Sequence, residues 1–276
     1  MFFFPLFDDN PTTKFPLITW IIIFLCIVVF IFQLSLNISQ NNNFIYSYGL
    51  TPILLKNYLS SNFVNPINPL ITLITSAFIH GGWFHIAGNM LYLWIFGDNV
   101  ETSFGRVRFL CFYFLCAVFA CLCQFAVNPN STIPMVGASG AIAGVLASYL
   151  LLHPKANVKV FLWIFIFIRL VNIPAWIVLG FWIFSQFLSI YGNFYDSGGG
   201  VAYFAHIGGF FAGLILTPIF KRRDIQFFAP ANSSSWENVT ISEKEIKLAI
   251  KASKNVSVPS FKRFNKTSVP KFFKRK

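Results

Sequence analysis

Six apolar runs, at residues 15–36, 83–100, 109–127, 135–152, 173–191 and 201–220, constrain this chain more than any other feature. A helix needs about 20 predominantly apolar residues to cross roughly 30 Å of hydrocarbon, and each run has about that length. Inside lipid a helix satisfies its own backbone polar groups, so such runs have one economical conformation. Composition agrees, because only 11% of the 276 residues are charged and 56% are hydrophobic, against about 25% charged in a soluble domain. An ordinary water-soluble enzyme is excluded, as are disordered, collagen-like and coiled-coil chains. The expected fold is an all-α polytopic membrane protein, a bundle of six transmembrane helices. The first run is too long, and too poor in a small-residue cleavage site, for a cleavable signal peptide.

Charge is distributed unevenly. Residues 221–276 hold 14 of the 21 Lys and Arg and four of the nine acids, a net of +10 within the total of +12. The positive balance therefore belongs to a tail and not to a nucleic-acid-binding surface. Three parts follow: 1–14 as a short cytoplasmic N-terminus with no room for a soluble accessory domain, 15–220 as the bundle, and 221–276 as a solvated, mostly disordered tail. Adhesion of that tail to anionic lipid is the alternative, and 242–254 could form a short amphipathic helix. Six spans with both termini cytoplasmic put Lys14, Arg106, Arg108, Lys155, Lys159, Arg169 and the tail inside, and leave Lys56 outside, as the positive-inside rule requires.

Two stretches fit less simply. The apolar run 160–168 lies between Lys159 and Arg169; as a helix it reaches only about 14 Å, so 158–172 is expected to be an interfacial or shallow re-entrant piece. The connection 37–82 is long and apolar enough to lie against the bilayer. Asn37-Ile-Ser39 and Asn130-Ser-Thr132 match the glycosylation pattern, which is common by chance. The five cysteines show no metal-ligand spacing and are expected to act as small core hydrophobes; no metal or cofactor is implied.

Polar groups at membrane depth are costly, which makes each one a functional candidate. His85 and Asn89, four residues apart, share one helix face. Ser139 stands in Gly137-Ala-Ser139-Gly140, at the start of an apolar run. A serine becomes a nucleophile when a base takes its proton, and histidine is the usual base near neutral pH. Free N–H groups at a helix N-terminus can stabilise an oxyanion. The alternative is that small residues here serve helix packing alone. His206 poses the same choice between a satisfied structural histidine and a base. Gly209 and Gly213 follow it on one face, while Gly140, Gly144 and Ser148 form a second small-residue stripe. Packing the stripes together brings the imidazole to the hydroxyl, so the packing and chemical readings support each other. His80 is expected to order a loop, and His153 to be interfacial and inert.

In chain order, His80-Gly-Gly-Trp-Phe-His85-Ile-Ala-Gly-Asn89, Gly97-Asp-Asn-Val-Glu101, Gly137-Ala-Ser139-Gly140 and Ala205-His206-Ile-Gly-Gly209 resemble the motifs of the rhomboid family of intramembrane serine proteases, over roughly residues 15–220. The resemblance implies Ser139 as nucleophile and His206 as general base, in a dyad without an aspartate. It also implies an oxyanion hole from His85, Asn89 and the Ser139 N–H, beside Gly137. Glu101 becomes a structural hydrogen-bonding residue, and the helix bearing Trp176, Phe181 and Trp182 a lateral gate. The Trp-Arg pair that many members carry in the first loop is missing. Expected partners are the bilayer and single-pass membrane-protein substrates, in a bacterial cytoplasmic membrane. Two other readings compete: a catalytically inactive rhomboid-like protein that binds or escorts membrane clients, and a histidine-relay transporter. The transporter expects an intramembrane acid and internal symmetry, neither of which is seen. His-Glu-x-x-His zinc and paired-aspartate proteases lack their residues.

Overall fold

A computed structural model of the chain describes residues 2–12, 14–60, 67–164, 167–192 and 202–230. Among the described residues nine helices dominate: α1 (Leu17–Ser35), α2 (Ile38–Tyr48), α3 (Pro52–Leu59), α4 (Pro69–Thr75), α5 (Trp83–Phe104), α6 (Arg106–Val127), α7 (Ser139–Leu152), α8 (Ala175–Gly192) and α9 (Tyr203–Phe220). Each of the six apolar runs contains one of the longer helices. α1, α6 and α9 are each long and apolar enough to cross a membrane alone; α4 with its 3-10 extension and α5 meet that length and composition only as a pair, bent by 82° at the break between them. With 14 residues, α7 reaches only about 21 Å.

The shortness of α7 has a local cause. The run at 135–152 does not start as a helix, because Met135 pairs with Leu50 in an antiparallel bridge and Gly137 donates its N–H to the Ser76 carbonyl at 2.9 Å. The chain thus enters the bundle extended, and helix begins only at Ser139. From Gly140 to Tyr149 every residue of α7 is buried. α7 is the central post, surrounded by α5, α6, α8 and α9.

Helix α1 turns Ile22, Cys26 and Phe30 inward and leaves Phe24, Ile31 and Phe32 exposed. Its N-terminus has no side-chain cap of its own. Glu101 of α5 supplies one, accepting from the N–H groups of Ile18 (3.0 Å) and Thr19 (2.8 Å) and from the Thr19 hydroxyl (2.8 Å). A carboxylate on free N–H groups at the positive end of a helix is the favourable arrangement. Gln33, in the last turn of α1, holds both backbone polar groups of His80, donating to its carbonyl and accepting from its N–H.

The stretch 37–82 is helical over α2, α3 and α4. It is held by the Leu50–Met135 bridge, by the Thr75 hydroxyl on the Tyr48 carbonyl and by the Lys56 ammonium on Asn130. Asn37 caps α2 in a reciprocal pair with Gln40.

The stretch 158–172, expected to be an interfacial or shallow re-entrant piece, is extended and not helical: β2 (Asn157–Ile164) and β3 (Phe167–Pro174) form an antiparallel hairpin, and β1 (Phe2–Asp8) pairs with β2. The class is mainly helical, as expected, with one small three-stranded sheet to which residues 2–8 contribute the strand β1. Val158 and Val160 are buried while Lys159 and Trp163 turn outward, the period-2 pattern of a strand. Counting apolar residues hid that alternation, because Phe161 and Leu162 fill both faces.

One expectation is corrected in part: Cys26, Cys116 and Cys121 are core residues, but Cys111 is exposed and Cys123 half-buried. His153, expected to be interfacial and inert, has its Nε2 3.4 Å from the Ser103 hydroxyl and its ring tilted at 59° to that of Tyr149. The readings of the tail as disordered, as lipid-binding and as helical over 242–254 fall on residues 231–276, outside the described residues. Residues 221–230 return to the bundle, with Phe228 and Ala229 donating to the carbonyls of Leu151 and Leu152.

Candidate active site

The contact between α7 and α9 is built on glycine. A Cβ on Gly209 would run into the Gly140 carbonyl, and one on Gly213 would lie 2.6 Å from the Gly144 Cα. Only hydrogen at these positions allows two backbones so close, the rule for small-residue membrane interfaces. Ser139 stands next to Gly140, and His206 one turn before Gly209. The His206 Nε2 lies 2.8 Å from the Ser139 Oγ.

The direction of that hydrogen bond follows from the next partner. Gln186 of α8 places its Oε1 2.7 Å from the His206 Nδ1, while its Nε2 donates to the Trp182 carbonyl and lies 2.9 Å from the Ser185 hydroxyl. With the amide nitrogen spent on a carbonyl, Oε1 faces the imidazole as an acceptor. Nδ1 then carries the ring proton, Nε2 presents a lone pair, and the Ser139 hydroxyl donates to it. His206 is buried, its ring 5.8 Å from that of Trp182 and 6.5 Å from that of Tyr203. A hydroxyl donating to an oriented, neutral imidazole is the arrangement that general-base activation of a nucleophile needs.

His85 and Asn89 approach from α5. Gly137 has a φ of +120°, a region that side-chain-bearing residues rarely occupy, and its missing side chain leaves space in front of both. A Cβ there would lie 2.5 Å from the His85 Nε2 and 3.6 Å from the Asn89 Nδ2. The His85 Nδ1 accepts the Gly81 N–H at 3.2 Å, so the proton of a neutral His85 sits on Nε2, on the Gly137 side. The Asn89 Nδ2 is buried without a hydrogen-bond partner among the described residues, an expensive state for a donor. Two donors thus converge on Gly137, two residues before Ser139, just ahead of a helix N-terminus whose first N–H groups lack intrahelical acceptors. A cavity of ≈ 30 Å³, lined among others by Ser76, Met135, Gly137, Ser139 and Ala205, opens next to the hydroxyl. That volume accommodates one water.

The structure therefore brings together Ser139, His206, His85, Asn89, Gly137, Gly140, Gly144, Gly209 and Gly213. His80 stays behind the site, buried, with its Nδ1 on the Phe78 carbonyl and its ring 5.2 Å from that of His85. Glu101 lies near the far end of α5. Trp176 and Phe181 face outward, whereas Trp182 turns inward to His206. Gln186 escaped the reading of motifs; the signal that could have found it is a pair of polar residues, Ser185 and Gln186, inside an apolar run.

A model of the Rhomboid domain matches residues 68–223, more than half of the chain and the segment that supplies every residue of this site. The mitochondrial Rhomboid protein 1 of Saccharomyces cerevisiae is 33% identical over 113 residues, 40% of this chain and 30% of that protein. Rhomboid protease GluP of Bacillus subtilis is 39% identical over 90 residues, 33% of this chain and 17% of the relative. The chloroplastic Rhomboid-like protein 11 of Arabidopsis thaliana is 36% identical over 74 residues, 27% and 26% of the two chains. The chain spans less than a third of the length of each of these relatives, which come from mitochondria, chloroplasts and a bacterium. With its apolar helices it is an integral membrane protein, and it belongs to the rhomboid family.

Proposed function

We propose that this protein is an intramembrane serine protease, with Ser139 as nucleophile and His206 as general base. The observation that carries the reading is the 2.8 Å bond from the Ser139 hydroxyl to an imidazole whose other nitrogen is already engaged. Ser139 Oγ attacks the scissile carbonyl carbon as its proton passes to His206 Nε2. The tetrahedral oxyanion is met by the His85 Nε2–H, the Asn89 Nδ2–H and the Ser139 N–H; one such donor is worth roughly 2.7–4 kcal/mol in soluble hydrolases. The imidazolium then returns its proton to the amine of the leaving peptide, the C–N bond breaks and an acyl-enzyme remains. Water attacks that ester with His206 again as base, and Ser139 is restored.

Substrates are single-pass membrane proteins, whose helices must unwind locally because regular helical carbonyls are already hydrogen-bonded. Trp176, Phe181 and Trp182 make α8 the lateral entrance. The excess of basic residues in one set of loops supports six crossings with both termini cytoplasmic. The Bacillus relative supports a bacterial cytoplasmic membrane as the setting.

The test combines fluorophosphonate labelling with cleavage of a model transmembrane substrate. Wild-type protein labels and cleaves, whereas Ser139→Ala and His206→Ala each lose both while expressing normally. Wild-type cleavage by either variant overturns the reading. A wild-type protein that neither labels nor cleaves, in detergent and in liposomes, supports the competing reading of an inactive client-binding member of the family.

A further inference from the structure

A histidine with one nitrogen committed to a serine still needs its ring held. Two of the described contacts that hold the His206 ring come from a single helix that carries neither member of the pair. Gln186 Oε1 takes the Nδ1 proton at 2.7 Å, and the Trp182 ring lies beside the imidazole at 5.8 Å and 38°. Gln186 is itself fixed, because its Nε2 donates back to the Trp182 carbonyl one turn earlier. It is buried, whereas its neighbours Phe184, Phe187 and Leu188 are exposed. A buried amide in an apolar run is retained against a desolvation cost, and here each end of the amide has a partner.

We infer that Gln186 is a positioning residue for His206, and that it makes the orientation of the base conditional on α8 resting against α9. The inference rests on the reading of His206 as the base. α8 begins at a tether, with the Ala175 and Trp176 N–H groups bonded to the carbonyls of Ala156 and Pro154. Further along, Trp182 and Gln186 meet the imidazole. Pivoting of α8 about its tethered start withdraws the amide and the indole together. His206 then loses the acceptor that favours the Nδ1–H tautomer, and the Nε2–H tautomer it can adopt has no lone pair for Ser139.

The test uses full-length protein labelled with ¹⁵N-histidine in detergent, comparing wild type, Gln186→Leu and Gln186→Glu, with His206→Ala to assign the signal. In wild type the His206 ring shows a protonated Nδ1 and a bare Nε2. Gln186→Leu keeps the side chain's bulk, removes the acceptor and mixes the tautomers. Its kcat falls by up to about 10⁴-fold, what a wrongly held tautomer costs a soluble serine protease, with KM unchanged. Gln186→Glu keeps an acceptor oxygen, restores the single tautomer and recovers activity with a displaced pH profile. An unaltered tautomer and kcat in Gln186→Leu overturn the inference, as does a Gln186→Glu protein as impaired as Gln186→Leu. The ring signals report on Gln186 without turnover. A wild type that fails to cleave yet shows the Gln186-dependent tautomer overturns the protease reading alone.

Discussion

At the scale of the residue, the site depends on what is left out as much as on what is present. Gly137 carries no side chain, at a backbone angle of +120°, and the space it spares lies in front of His85 and Asn89. The Gly137→Ala protein meets two penalties: a strained φ worth about 1–3 kcal/mol, and a methyl 2.5 Å from the His85 Nε2. The expected outcome is a loss of fluorophosphonate labelling of at least about 100-fold, the effect of losing an oxyanion donor, while the bond from Ser139 to His206 persists. Labelling near the wild-type rate would mean that this corner lies outside the reacting geometry. His85, Asn89, Ser139 and His206 could be named from motifs because each is an expensive polar group in an apolar run. Gln186 carries the same signature but no motif, and its importance depends on which ring it faces, a fact that exists only in three dimensions.

At the scale of the element, α7 and α9 act as one unit. Besides the glycine contacts, the Ser148 hydroxyl lies 2.5 Å from that of Thr217, which in turn donates to the Gly213 carbonyl. Thr217 is thereby left as acceptor for Ser148. Such a pair is worth about 0.6 kcal/mol on average in membrane helices, so packing and not hydrogen bonding holds the crossing. Gly213→Leu drives four heavy atoms into the Gly144 backbone, an overpacking that costs about 1–3 kcal/mol or more. The expected result is a Tm in detergent lowered by several degrees together with loss of Ser139 labelling, since spreading the helices separates the hydroxyl from the His206 imidazole. A variant that melts early but labels normally would uncouple the two. The stripes themselves were legible as i, i+4 spacings and were expected to pack on each other; the register, Gly209 on Gly140 and Gly213 on Gly144, was not legible, because spacing specifies a face and not the offset between two faces.

At the scale of the whole molecule, the end of the bundle remote from Ser139 is tied together through the sheet. The Asp8 Oδ2 accepts from the Tyr149 hydroxyl at 2.5 Å and from the Asn99 Nδ2 at 2.9 Å, and Asn10 donates to the Asn99 Oδ1. Asp9 and Asn157 exchange backbone and side-chain bonds. Burial first, and the neighbouring Asp98 and Asp9 carboxylates after it, push the Asp8 carboxyl up from 3.8 to about 7 against the opposing Tyr149 bond. The folded state therefore holds a proton that the unfolded chain releases. The associated stability is complete below about pH 3.8 and is lost as pH rises towards and through about 7. Thermal unfolding in detergent is expected to give a Tm that declines between pH 5 and 8. Asp8→Asn, which keeps an acceptor for Tyr149 without the titration, is expected to flatten that decline. An equally steep slope in the variant would place the titrating group elsewhere.

What the sequence by itself determined is what local chemistry dictates. Apolar length produced the membrane helices, polar residues within them marked the site, and glycine spacing marked the faces that could touch. The sheet, the late start of α7 and the contact from Gln186 to His206 were decided only by tertiary structure. β1 finds β2 across some 150 residues of chain, Met135 is held extended by Leu50, and an amide on α8 acquires its role from a ring on α9. Each is a pairing between distant segments, and no local pattern of hydrophobicity or charge records which distant segment will be the partner.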